Sequence, residues 1–301
     1  MEKLLTTKEL AEAIGASESS LRRWTNSGAI RTSRTVGGHR RIPLSEAVRF
    51  IRESRATVVR PQVLGLAGGD RVARGAGDPS GAPSAAEESI YRGLGDGDAA
   101  RVSADVLGLY LGGVSLAAIF DGPLAGAMHR VGELWRHDSS GILVEHRASD
   151  ICIQAVNQLR QLLAPPDPGA PAAVGGAAPG DPYLLPSMMA SAVLAEAGLR
   201  QTNYGPHTPL DALGDAAEEQ GATLVWLSVS VNDPAARLGP GIQKLSRRLR
   251  RRDARLLLGG RHAAAAAAAG KGSSNVHVLA TMSELAAYVR GAAARTHSVA
   301  T

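Results

Sequence analysis

A chain of 301 residues has room for two or three domains with a sizeable core, and 35 Gly and 16 Pro against ten aromatic residues mark it as globular but broken by turns, neither fibrous nor wholly disordered. The formal net charge of +5 is unevenly spread: residues 1–60 carry two Lys and ten Arg against six Glu, a net +6, while the other 241 residues carry 21 basic and 22 acidic side chains, the footprint of a small phosphate-neutralising module on a near-neutral body. One cysteine, Cys152, excludes an internal disulfide and, with no charged-then-apolar leader, predicts a reducing, cytoplasmic setting; the longest apolar run, residues 106–120, is too short to span a bilayer, so it reads as a buried helix and a membrane partner is excluded.

Thr6 precedes Glu9 by three residues, the spacing of a capping box, and Leu10, Ala11 and Ile14 supply one apolar face before Gly15 ends the helix. Only Gly15 and Ala16 separate it from a second cap at Ser17 and a short helix through Trp24, which ends near Ser27 and Gly28. Two short helices joined this tightly predict a helix-turn-helix. The run Arg34-Thr35-Val36-Gly37-Gly38-His39-Arg40-Arg41-Ile42 follows, and its paired glycines permit the tight turn of a small hairpin, a wing that projects His39 and Arg40. Arginine on a wing enters a minor groove or grips phosphate, while the second helix offers short polar side chains and arginines to base edges and backbone. Ser19, Ser20, Arg22, Arg23, Arg34, Gly38, His39, Arg40 and Arg41 are therefore the candidate contacts to a double-stranded DNA operator, and Trp24 is read as core. Ser45 is expected to cap a third helix over residues 46–53.

Residues 61–83 hold six Gly and three Pro with little apolar periodicity and predict a flexible linker. Residues 84–163 show helical spacing, with Val131, Leu134 and Trp135 and then Ile151, Ala155, Leu159 and Leu162, which predicts a bundle of about four helices. A proline-rich break at 164–171 ends it. From 172 to 297 short apolar runs (172–178, 199–204, 223–230, 255–258, 275–279) alternate with helical stretches, among them seven consecutive alanines at 263–269. Alternation of this kind predicts a parallel sheet covered on both faces. The fold class is thus multidomain α and α/β: a winged helix-turn-helix over 1–60, the linker, a four-helix bundle over 84–163, and a Rossmann-like (flavodoxin-like) sheet domain over 172–297.

In the bundle, Trp135 is followed after nine residues by Glu145 and His146. An indole gives a flat apolar surface, a carboxylate accepts hydrogen bonds from ribose hydroxyls, and an imidazole adds a donor or acceptor, so the trio suits a nucleoside; a core Trp beside an exposed Glu-His pair is the other reading. Lys244, Arg247, Arg248, Arg250, Arg251, Arg252 and Arg255 form either a solvated helix face or a second DNA-facing patch. Cys152 reads as inert core, and Asp233 and His262 lack partners at a metal-binding spacing.

The runs at 20–24 (Ser-Leu-Arg-Arg-Trp) and 34–41 (Arg-Thr-Val-Gly-Gly-His-Arg-Arg) resemble the winged helix-turn-helix of MerR-family regulators. The Trp135, Glu145, His146 pattern extends the resemblance to the CarH/LitR group of light-responsive MerR regulators, whose bundle uses this motif to cap the adenosyl arm of cobalamin. Gly205 to Leu210, Leu227 to Ser230, and Leu258-Gly259-Gly260 continue it. The resemblance implies adenosylcobalamin as cofactor, held by Trp135, Glu145, His146, Tyr183, Ser228, Ser230, Gly259 and Gly260, with the Ser-rich strand end and the Gly pair lining the pocket for the nucleotide tail. Two departures stand out. The family's acid-x-His-x-x-Gly motif, whose His ligates cobalt, here reads Asp181-Pro182-Tyr183-Leu184-Leu185-Pro186, and a phenol of pKa about 10 is a poorer cobalt donor near neutrality than imidazole. Pro182 and Pro186 also fix backbone angles in a loop that, in the family, must admit the nucleotide tail. Arg136 replaces a second cobalt-capturing His, and His137, one residue on, points about 100° away on a regular helix; no metal ligand is assigned, with His137 as the alternative.

Together these readings give a sequence-specific, non-enzymatic transcriptional regulator, a repressor by resemblance and of light-induced carotenoid genes in that group, whose body controls homo-oligomerisation into a dimer or tetramer. The body holds cobalamin without a protein lower ligand, holds another flat or nucleotide-bearing molecule, or binds none and answers to a regulatory protein. A corrinoid-carrying enzyme subunit is the alternative from another class.

Overall fold

A computed structural model describes residues 2–34, 38–66, 84–134, 140–232, 235–270 and 273–299, which fall into two units, Met1–Ala164 and Pro165–Thr301. The first opens with β1 (Leu4–Leu5), α1 (Thr7–Ile14), α2 (Glu18–Asn26), β2 (Ser33–Arg34), β3 (Arg40–Pro43) and α3 (Leu44–Ser54). The capping box forms: the Glu9 amide donates to Thr6 Oγ1 at 3.1 Å and the Thr6 amide to Glu9 Oε2 at 2.6 Å, and these bonds from Thr6 hold the Glu9 carboxyl below the usual carboxylate range. Gly15 takes φ +64° and reverses the chain in the left-handed conformation that a side chain resists. The three strands order as β1-β3-β2, antiparallel throughout, over a core of Leu5, Leu10, Leu21, Ile30, Ile42 and Ile51. Trp24 packs on Phe50 with ring centroids 5.0 Å apart and is half-buried rather than fully core.

Two local expectations are corrected. Helix α3 starts at Leu44 rather than after Ser45, because Pro43 fixes the entry φ one residue earlier, and both the amide and hydroxyl of Ser45 are satisfied by Glu2 Oε1 at 2.9 and 2.5 Å. The head of the expected linker is also structured: Pro61–Leu64 forms a 3-10 turn packed on α1, with Leu64 and Leu66 buried. Residues 67–83, the rest of that stretch, lie outside the described residues.

Helices α4 (Ala85–Asp96), α5 (Ala99–Leu111), α7 (Ala125–Leu134) and α8 (Ser140–Gln161) close a four-membered ring in which α4 meets α5 and α7, and α8 meets α5 and α7. The short α6 (Leu116–Ile119) and a π turn at Phe120–Leu124 join α5 to α7. The single buried helix expected across residues 106–120 is therefore broken. Gly113 takes φ +98°, α5 ends at Leu111, and Ser115 caps α6 through the Ala118 amide, although Val106, Leu116, Ile119 and Phe120 are all buried. No described helix is long and apolar enough to cross a membrane.

The second unit alternates β4 (Ala172–Ala177), α9 (Leu184–Glu196), β5 (Arg200–Asn203), α10 (Leu210–Glu219), β6 (Leu224–Ser228), α11 (Ala235–Arg250), β7 (Arg255–Gly259), α12 (Ala263–Ala269), β8 (Val276–Val278) and α13 (Met282–Val299). Its five strands are all parallel in the order β5-β4-β6-β7-β8, the flavodoxin-like order whose reversal leaves a crevice at the carboxyl ends of the first and third strands. One face carries an aliphatic core that includes Val174, Val225, Leu227, Leu256 and Leu258 with Leu213, Ile242 and Leu245. The alternate residues of β4 and β6, among them Gly175, Trp226 and Ser228, point to the other face.

Candidate nucleic-acid interface and sheet crevice

On α2, Ser19, Arg22, Arg23 and Asn26 are exposed and spaced as one helical face, with Glu18 also exposed at the start of the helix, while Leu21 and the half-buried Trp24 turn inward. Ser20 stands at the margin: its amide donates to Ser17 Oγ at 3.1 Å and its hydroxyl lies 3.0 Å from the same oxygen, so it serves the helix cap. In the wing, Arg34 pairs with Arg40 across the β2–β3 ladder and Ser33 with Arg41. Arg34, Gly38, His39 and Arg40 are exposed and Arg41 half-buried. Gly38, at φ +76°, opens onto free space. Residues 35–37 of the wing lie outside the described residues.

Helix α2 and the wing are tied together. Arg40 Nη1 donates to Asn26 Oδ1 at 2.5 Å, which joins a wing arginine to the exposed face of the helix. The segment between them is pinned from behind, where the Arg31 amide donates to Glu46 Oε1 at 2.8 Å and Arg49 Nη2 donates to the Ala29 carbonyl at 2.8 Å. Burial works to raise the pKa of Glu46, but the bonds from Arg49 and the Arg31 amide outweigh it and hold the carboxyl below its ordinary range. Asn26 was absent from the sequence-level candidates. Its position four residues after Arg22 and three after Arg23 carried the signal.

In the bundle, Glu145 is half-buried and His146 exposed on α8; Trp135, Arg136 and His137 lie outside the described residues. Cys152, on the same helix, is buried, and burial pushes its thiol up to about 12. Arg52 of α3 crosses to the bundle: its guanidinium sits 3.8 Å from the centroid of the Tyr110 ring and donates to the Tyr110 carbonyl and, at 3.0 Å, to that of Val114.

At the carboxyl edge of the sheet the loops after β4, β5 and β6 converge on Asp181, which is fully buried. Oδ1 accepts from the Tyr183 amide at 3.0 Å, Oδ2 from the Ser230 amide at 2.5 Å, and the backbone carbonyl from the His207 amide at 3.0 Å. Tyr183 precedes α9 and is 49% exposed. Ser228 is only 4% exposed, with its hydroxyl 3.4 Å from that of Ser230. The Val229 amide donates to the Gly259 carbonyl at 2.8 Å. Gly260 takes φ +98°, and a Cβ there would stand 2.7 Å from the Val229 carbonyl oxygen. Ser228, Ser230, Gly259 and Gly260 thus gather at one rim beside Tyr183. On α11 and the following turn, Lys244 is paired with Asp211, Arg248 with Asp215 and Glu218, and Arg255 with Asp253, while Arg247, Arg250, Arg251 and Arg252 are exposed.

Comparison with known families matches the helix-turn-helix domain to residues 4–55 and the B12 binding domain to residues 86–160. The chain joins a helix-turn-helix DNA-binding domain to a helical segment of the B12-binding type. Comparison with curated proteins yields no match. Among solved structures, the monomethylamine corrinoid protein of Methanosarcina barkeri is 17% identical with a TM-score of 0.49, over 66% of this chain and 94% of that one. A cobalamin-binding protein of Desulfitobacterium hafniense DCB-2 is 16% identical with a TM-score of 0.34, over 68% of this chain and 97% of that one. The methanol:cobalamin methyltransferase complex of M. barkeri gives 12% and 0.32, over 68% of this chain and 80% of that one.

Proposed function

We propose that the chain is a sequence-specific transcriptional repressor of the MerR type, in which α2 and the wing read an operator and the rest of the chain controls self-association. One observation carries the reading: Ser19, Arg22, Arg23 and Asn26 form a single outward face of a capped α2, and Asn26 fixes wing Arg40 beside it. A helix enters a major groove and an arginine-bearing wing an adjacent minor groove or phosphate row. One such module makes few base contacts, so useful specificity needs two or more copies on repeated half-sites. The working parts in this reading are the DNA module through Leu66, the bundle over 84–163 and the sheet domain over 172–297.

Adenosylcobalamin is the cofactor that the resemblance implies, and the sheet domain does not fit it. Tyr183 offers a phenol in place of the imidazole that ligates cobalt in the family, and Asp181 beside it spends both carboxylate oxygens on the Tyr183 and Ser230 amides. This favours a body that works through self-association and a regulatory protein over one that works through a cobalt-ligated cofactor. In vitro selection from a random duplex library, followed by footprinting, tests the DNA role. Recovered sequences should carry half-sites about 34–36 Å or a multiple apart along the duplex. Recovery of no consensus would contradict it.

A further inference from the structure

The layer between the sheet and α9 holds an aromatic side chain that the DNA-binding reading leaves unused. Trp226 lies in β6, two residues before Ser228 and therefore on the same face of the strand, and is 3% exposed. Its register partner on β4 is Gly175, as Ala177 is that of Ser228. A Cβ built on Gly175 would meet Cδ2 and Cε2 of Trp226 at 2.1 and 2.4 Å. The indole thus lies flat across β4, in the space that any residue other than glycine would fill. Helix α9 packs over β4 and β6, and Ser187 and Ser191 of that helix are fully buried. Trp226 Nε1 has no hydrogen-bond partner, although buried indole N–H groups ordinarily find one, so the side chain is held there by shape rather than by polar bonding.

Indole and benzimidazole are both flat fused rings of nine ring atoms. The nucleotide tail of cobalamin ends in a dimethylbenzimidazole, and the resemblance places that tail along the strand end at Ser228 and the Gly pair. We propose that the Trp226 indole occupies the tail slot as a built-in surrogate, and that this protein gains no binding energy from the nucleotide tail of a corrinoid. The inference rests on the cobalamin-type reading of the sheet domain; it is independent of the DNA-binding role. Tyr183 accords with it: a chain that seats no nucleotide tail would have no use for the family's imidazole at that position.

The test compares cobalamin with cobinamide, the corrinoid that lacks the nucleotide tail, by equilibrium dialysis against the full-length wild-type chain. Uptake of the two within about threefold of one another, or of neither, agrees with a filled slot; a preference for cobalamin beyond about threefold overturns it. The Trp226→Gly variant supplies a second arm, since a cavity lined by apolar groups takes up a ring of matching shape. Free 5,6-dimethylbenzimidazole should raise the thermal midpoint of the variant in a concentration-dependent manner and leave that of the wild type unchanged, and a rise in the wild type instead overturns the proposal. Should the variant not fold, the dialysis arm decides. Binding of a selected duplex, measured on the same preparations, reports separately on the regulator reading, so either can fail alone.

Discussion

Gly175 is the residue on which the packing of the sheet turns most directly. A methyl group there collides with the Trp226 ring, and overpacking of this kind costs about 1–3 kcal/mol; urea unfolding of Gly175→Ala is expected to show that loss. Glu46 carries a pH dependence. Its folded pKa is held below the ordinary value of 4.5, so it contributes stability that is present above about 4.5 and is lost as the pH falls through the folded value. Glu46→Gln should flatten the acid limb of the stability profile of the N-terminal module. Cys152, its thiol raised to about 12 by burial, should resist alkylation at pH 8 in the native state and react on unfolding. The sequence showed these residues unequally. The burial of Cys152 followed from its apolar neighbours, whereas the hub role of Asp181 depends on three loops meeting at the edge of the sheet, a long-range fact with no local signature.

At the scale of elements, caps and periodicity decided most of the outcome. Thr6, Glu9, Gly15 and Ser17 mark the ends of α1 and the start of α2 by chemistry local to each turn, and the parallel sheet followed from alternating apolar runs. Thr6→Ala removes the accepting side of the capping box and should cost about 1 kcal/mol in thermal or urea unfolding. Local signals failed where two of them competed. Residues 106–120 read as one helix because apolar content masked Gly112 and Gly113, and α3 began early because Pro43 overrode the serine that follows. The α3–α5 junction was invisible in sequence, since Arg52 and Tyr110 are far apart along the chain. Loss of the Arg52 bonds to the end of α5 should lower stability by about 1.5–3 kcal/mol in Arg52→Ala, the range for hydrogen bonds from a charged group, read as a lower thermal midpoint.

For the molecule as a whole, the charge arithmetic assigns the work. The +6 surplus lies in residues 1–60, and the structure sets Arg22 and Arg23 on one face of α2 and Arg34 and Arg40 along the wing, all exposed. The most direct test of DNA recognition by α2 and the wing is the dependence of duplex affinity on ionic strength, measured by fluorescence anisotropy on a selected duplex from 50 to 200 mM KCl, about the range over which phosphate contacts are lost. If Arg40 and Arg41 each neutralise a phosphate, the double variant Arg40→Ala/Arg41→Ala should bind more weakly and lose about two units of the slope of log K against log salt. An unchanged affinity and slope would contradict the account.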